Sequence, residues 1–183
     1  MNLADLVVSR RTVHNYRKET LPQAVVERAL ELSLWAPNHR DTYPWAYFMV
    51  GPEARAKLAD LSVQLKELKG ALSDIKKQAL RENLINPSHL VILGQRKADP
   101  KTAHEDYATL ACSVQIASLY LAEQGFGSKW STGGYSNHSQ TYEILGISPD
   151  QVQLEGALMI GVAQMAPPTQ TRPPLKEFLT YIS

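Results

Sequence analysis

Three short segments of this chain carry residue types that could bind or transform a ligand. Arg10-Arg11-Thr12 puts two guanidinium groups beside a hydroxyl. Guanidinium forks match phosphate oxygens, and the hydroxyl can add a further contact. A short helical stretch precedes the segment, so an anion there would meet the repulsive end of the helix dipole. The side chains would have to supply the positive field. The alternative is an ordinary helix C-terminus with favourably placed arginines. Ala36-Pro37-Asn38-His39-Arg40, followed by Pro44-Trp45, presents several donors from one loop. A solvated turn, with Trp35 in the core, is the alternative there. Gly125-Phe126-Gly127-Ser128-Lys129-Trp130 contains a Gly-x-Gly, but Trp130 stands where a dinucleotide fingerprint needs its third glycine. It also follows a helix instead of opening one, so it reads as a tight helix-to-strand turn. Ser131-Thr132-Gly133-Gly134 comes next, and such small residues let a flat ring approach backbone N–H groups.

Other chemistries find little support. There is no phosphate-binding loop, no His-Glu-x-x-His and no Gly-x-Ser-x-Gly elbow. His14, His39, His89, His104 and His138 show no metal-ligand spacing, so no metal site is expected. The single cysteine, Cys112, sits mid-helix among apolar residues and reads as an inert core thiol. Lys+Arg 19 against Asp+Glu 18 leaves a net charge of +1, which gives no support to a nucleic-acid or membrane-surface partner. No apolar run approaches the roughly 20 residues of a membrane span, and no secretory leader is evident. A cytoplasmic protein is expected.

The elements that must position these segments follow from periodicity. The chain has 183 residues, 44% of them hydrophobic, and reads as one domain over residues 1–183. Residues 2–9 read as a short helix. Thr20 is placed to cap a second helix with Pro22 in its first turn, Val26, Ala29, Leu30, Ser33 and Leu34 on one face, and Pro37 as its stop. Residues 45–50 read as a strand, and residues 53–84 as two amphipathic helices around Gly70. Leu90–Gly94 reads as a buried strand. Residues 102–124 form the longest helix, with Leu110, Val114, Ala117 and Leu121 as one stripe. A short helix is expected around residues 138–145, a third strand at Leu158–Val162, and an edge strand at 178–182. The helices are many and do not alternate regularly with strands. That favours an α+β fold with a mixed central sheet flanked by helices over a doubly wound parallel sheet.

Taken in order, these residues resemble the nitroreductase family of FMN enzymes, and its small branch most closely. The resemblance spans nearly the whole chain. It rests on the Arg-Arg-Thr corner, the helix ending in Ala-Pro-Asn-His-Arg, and the strand opened by Pro44-Trp45. The long helix ending in Gly-Phe-Gly and the Trp-Ser-Thr-Gly segment complete it. It implies an intertwined homodimer with two FMN sites at the subunit interface. By resemblance, Arg10, Arg11 and Thr12 face the phosphate and ribityl chain, with Arg172 from the C-terminal segment. Trp130, Ser131, Thr132 and Gly133 border the ring. His39 reaches it from the partner subunit, with Trp35 close by. Tyr120, Leu121, Ala122, Glu123, Gln124 and Gly125 border the nicotinamide substrate. Trp35 stands where a basic residue is common, which turns that contact into stacking. His14 stands where other members carry a long basic side chain near the flavin pyrimidine edge. The implied activity is NAD(P)H-dependent reduction of nitroaromatic, quinone or similar acceptors by a ping-pong hydride mechanism. The alternative is a flavin-binding or flavin-storage protein without efficient turnover.

Overall fold

The computed structural model describes residues 2–182. Its centre is a four-stranded sheet in the order β1-β2-β4-β3: β1 (Trp45–Met49), β2 (His89–Arg96), β3 (Gly127–Ser131) and β4 (Val152–Gly161). All three strand pairs are antiparallel. The parallel component of this sheet is an isolated bridge between Thr12 and Ser128. Six helices surround it: α1 (Leu3–Ser9), α2 (Gln23–Ser33), α3 (Pro52–Glu67), α4 (Asp74–Ile85), α5 (Ala103–Glu123) and α6 (Ser139–Leu145). The α+β architecture with a central sheet flanked by helices is the one the sequence implies.

Strand residues alternate between two faces, so each face of the sheet builds its own core. Leu90, Ile92, Leu154, Ala157 and Met159 belong to a cluster that includes Leu58 and Leu61 of α3, Leu84 of α4 and Tyr142 of α6. Val91, Leu93, Leu158 and Ile160 belong to the other, with Val26 and Ala29 of α2 and Val114, Ala117 and Leu121 of α5. The predicted α5 stripe is therefore buried throughout, Leu110 included.

On β4 the first face switches from even to odd positions between Leu154 and Ala157. The register of β2 against β4 slips at the same place, where Leu93 opposes Gly156 and Gly94 opposes Leu154. One extra residue in β4 is a β-bulge, and it re-aims every side chain beyond it. Gly156 makes it possible. Its φ is +140°, and a Cβ there would lie 2.6 Å from Trp130 Nε1 and 2.8 Å from the Ser131 carbonyl oxygen. Leu158 and Ile160 reach the α2/α5 side only because this glycine resets the alternation.

Several local expectations change. Pro22, not Thr20, occupies the N-cap of α2, with no side-chain cap. That helix stops at Ser33, before Pro37, and its last carbonyls are taken by the Leu34, Trp35 and Ala36 amides. The strand expected at Leu158–Val162 is β4, which is twice as long and ends at Gly161, because the bulge breaks the apolar pattern that marks it. Residues 178–182 form no strand; after a 3-10 turn at Leu175–Glu177 the chain runs exposed. Cys112 is exposed on α5 and is not a core thiol.

Two measurements test this frame. Gly156→Ala should cost about 2–4 kcal/mol in chemical denaturation, from positive φ together with overlap against backbone. His89, at the start of β2, is held below its ordinary pKa of 6.5 by burial first and by the Arg55 charge second. The unfolded chain therefore takes up this proton before the folded one. The stability it contributes is present above about pH 6.5 and falls as the pH drops through the lowered value. Tm measured from pH 7 down to pH 5 should fall less steeply in His89→Gln.

Candidate functional site

The site begins at the end of α1. Asn2 caps this helix by accepting the Asp5 amide at 2.9 Å, and Arg10 is its C-cap, donating its own amide to Leu6 O. Arg11 Nη1 donates to the Arg10 carbonyl at 2.7 Å. The Nε atoms of both arginines are enclosed and lack a hydrogen-bond partner, and neither side chain forms an ion pair among the described residues. Each guanidinium thus keeps a hydrogen-bond donor unused within the chain. Thr12 then bridges to Ser128 of β3, and the Val13 amide donates to Ser128 O at 3.1 Å. This approach is close. A Cβ on Gly127 would overlap the Val13 side chain, so only glycine fits at the head of β3.

β3 carries the arginine corner on to a cavity of about 510 Å³, within the usual range for small-ligand sites. Lys129 and Ser131 face it from β3. Gly133, Gly134, Tyr135 and His138 follow from the segment after β3, Lys66 comes from α3 and Lys69 from just past its end, and Leu80 and Asn83 come from α4. No carboxylate of the described residues lines it. Lys129 is half-buried, and burial pulls its ammonium below the ordinary lysine range. Tyr135 is buried and its hydroxyl has no hydrogen-bond partner. Burial pushes this phenol up, while the nearby Ser131 hydroxyl opposes the shift without reaching hydrogen-bond geometry. A second cavity of about 140 Å³, lined by His14, Asn15, Tyr16, Glu82 and Gln164 among others, shares Asn83 with the first. A positive, carboxylate-free cavity joined to unpartnered arginines suits a flat ligand that carries negative charge.

The structure gathers part of the predicted set. Arg10, Arg11 and Thr12 adjoin β3, Ser131 and Gly133 line the larger cavity, and His14 lines the smaller one. Thr132 is exposed beside Gly133. Trp130 differs, because strand alternation turns its indole to the opposite sheet face. There it packs with the α2/α5 cluster, tilts against Tyr107 and donates to the Glu155 carbonyl at 3.3 Å. Its side chain does not border the cavity. At the end of α5, Leu121 is fully buried in the core and is not a surface for substrate. Tyr120 and Ala122 are half-buried, and Glu123, Gln124 and Gly125 are exposed. Arg172 lies on the exposed tail.

His39 and Trp35 do not line the Ser131 cavity. Trp35 is 85% exposed. His39 Nε2 accepts from Arg40 Nε at 3.0 Å and lies 3.8 Å from Glu105 Oε2. The loop that carries it is tied down. Asn38 donates to Thr42 Oγ1 at 2.8 Å and accepts the Tyr43 amide at 2.8 Å, while Thr42 donates to the buried carboxylate of Asp106 at 2.5 Å. Arg40, Asp41 and Tyr43 all hold positive φ. Lys129, Asn83 and Tyr135 were not evident from sequence. The one available signal was period-two alternation, which puts residue 129 on the same face as Ser131.

The family model described as the nitroreductase family matches residues 7–162. The Bacillus subtilis protein YfhC, provisionally named an NAD(P)H nitroreductase, is 26% identical over 181 residues, covering 97% of this chain and 93% of that protein. The crystal structure of a nitroreductase-like family protein from Bacillus cereus superposes with a TM-score of 0.85 at 23% identity, covering 100% of this chain and 96% of that one. The FMN-dependent nitroreductase NfnB from Mycobacterium smegmatis, solved in complex with NADPH, superposes with a TM-score of 0.75 at 18% identity and covers 100% of both chains. With its α+β fold, its arginine corner against β3 and a family match over most of its length, the chain belongs to the nitroreductase family.

Proposed function

We propose that this chain is an FMN-dependent NAD(P)H oxidoreductase. In this reading it reduces electron-poor acceptors such as nitroaromatics or quinones in a ping-pong cycle, as one domain acting in the cytoplasm. The observation that carries the reading is the junction at Thr12 and Ser128. It joins two arginines with unpartnered Nε donors to a lysine-lined cavity free of carboxylates. A phosphate ester and a flat ring that gains negative charge need those two environments side by side.

Arg10, Arg11 and Thr12 hold the phosphate and ribityl chain, and Arg172 joins them from the tail. Ser131, Thr132 and Gly133 border the ring with their backbone, and Trp130 contributes backbone only. His14 faces the ring from the smaller cavity. Tyr120, Ala122, Glu123, Gln124 and Gly125 border the reduced nicotinamide. When bound, FMN would take the hydride from the reduced nicotinamide and pass its electrons to the acceptor, chemistry that the protein's own side chains lack. Neither substrate then requires a dedicated dinucleotide-binding fold.

His39 and Trp35 act from a second copy in a homodimer. Support comes from apolar surface that one copy leaves bare. In the tail, Leu175 is 70%, Phe178 72%, Tyr181 88% and Ile182 94% exposed, and Leu3 and Val8 of α1 are nearly as open. Patches of this kind mark protein interfaces.

Purified protein loaded with FMN should bleach anaerobically on adding NADH or NADPH and recover its yellow colour with a nitroaromatic or quinone. Bound FMN that neither nucleotide reduces would leave a flavin-storage protein instead. Arg10→Ala with Arg11→Ala should weaken FMN binding at least tenfold by fluorescence titration, because each charge-assisted hydrogen bond contributes about 1.5–3 kcal/mol. Unchanged affinity would remove the phosphate assignment. Light scattering should report two chains per particle, and truncation after Ala163 should dissociate them and release the flavin.

A further inference from the structure

The reading above treats the cavity lysines together and gives Lys129 no role of its own. Three lysines surround the larger cavity, but they are not equivalent. Lys66 and Lys69 are exposed at the rim, where water screens them. Lys129 is half-buried on β3 and makes no side-chain hydrogen bond or ion pair among the described residues. A partly desolvated ammonium with no partner is costly in the empty protein. Burial accordingly pulls its proton affinity down. A ligand that brings negative charge into the cavity removes that cost.

A second polar group in the same cavity makes the same demand. The Tyr135 hydroxyl, more than nine-tenths buried, lacks a hydrogen-bond partner. Lys129 stands two positions from Ser131 on one strand face, about 7 Å along the strand. It is next to Ser128, to which the arginine corner is stitched. The lysine and its cavity thus adjoin the segment that leaves the arginine corner. His14 lines the neighbouring cavity and not this one.

We propose that Lys129 provides the positive charge facing the part of the flavin that becomes anionic on reduction, and so sets how readily this protein's cofactor is reduced. This inference rests on the FMN reading. Lys129 is a positioning and tuning residue here, with no bond made or broken at its nitrogen. Its charge favours the reduced, anionic ring over the neutral oxidised one, which is how a fixed cation raises a potential. Strand alternation makes the assignment selective. Trp130, one residue on, turns away from the cavity, so on β3 a charge can come only from position 129 or 131, and position 131 is a serine.

The test is the midpoint potential of FMN bound to the full-length protein, measured anaerobically by dye equilibration. Lys129→Met should lower it by at least about 30 mV, which is a tenfold weaker preference for the reduced state in a two-electron couple. Lys129→Gln should do the same, and Lys129→Arg should keep most of the wild-type value. The rim double variant Lys66→Ala/Lys69→Ala should shift it less than Lys129→Met. Flavin-loaded Lys129→Met and Lys129→Gln proteins with wild-type potential would overturn the inference, as would a larger shift from the rim pair. Failure of the wild-type protein to take up FMN would be a separate result. It would end the flavin reading and this inference with it.

Discussion

The site depends on one backbone contact. Val13 donates its amide to the Ser128 carbonyl, and Thr12 lies in a parallel bridge against the same residue. A single hydrogen bond of this kind contributes only about 1 kcal/mol. Its importance is geometric. It fixes the chain leaving α1 against the edge strand β3, so that Arg10 and Arg11 stand a few residues from Lys129 and Ser131. Gly127 is the sequence's concession to this contact, because any side chain there would push the two segments apart. The second stitch, between Tyr16 and Ala163, comes from a bridge a few residues further on, and the Tyr16 hydroxyl donates to the Met159 carbonyl at 3.2 Å. Together they clamp the N-terminal segment along the β3–β4 edge.

The bulge at Gly156 does for side chains what that stitch does for backbone. β3 and β4 share an edge of the sheet, and their alternation decides what each face presents. Lys129 and Ser131 oppose Met159 and Ala157, on the face covered by α3 and α4. Trp130 opposes Leu158, on the face covered by α2 and α5. Polar groups for the cavity and apolar groups for the core thus come from consecutive residues of one short strand. The indole has its polar edge satisfied by the Glu155 carbonyl, within the bulge itself.

Much of this was legible in the sequence, for reasons that can be named. The Arg10-Arg11-Thr12 corner was visible because paired guanidinium groups beside a hydroxyl are chemically distinctive. The α5 stripe was visible because Leu110, Val114, Ala117 and Leu121 keep helical spacing over several turns. That same stripe placed Leu121 in the core, so a substrate contact for it, carried over with its neighbours by resemblance, fails on burial. β4 was read as half its length because the bulge interrupts period two at Glu155 and Gly156. The tail at 178–182 has strand-forming residues, but propensity forms a strand only when an edge is free to receive it. Lys129 stands in the middle of a short strand that leaves a glycine turn, and its local sequence does not mark it as cavity lining. Asn83 and Tyr135 join it only through tertiary packing, which leaves no local signature.

The loop after α2 carries a different implication. Arg40, Asp41 and Tyr43 sit in left-handed backbone conformations that non-glycine residues avoid, at about 1–3 kcal/mol each. They are held there by Asn38, Thr42 and the buried Asp106, a residue of the first turn of α5. Glycine at those three positions would remove the strain, and with it the reason for the loop to have one shape. The chain instead keeps side chains in an unfavourable conformation and anchors them to a helix more than sixty residues away in sequence. The loop is thereby made part of α5. A change in the first turn of that helix would be transmitted to His39 as a change of aim, although no atom of the helix's first turn belongs to the cavity.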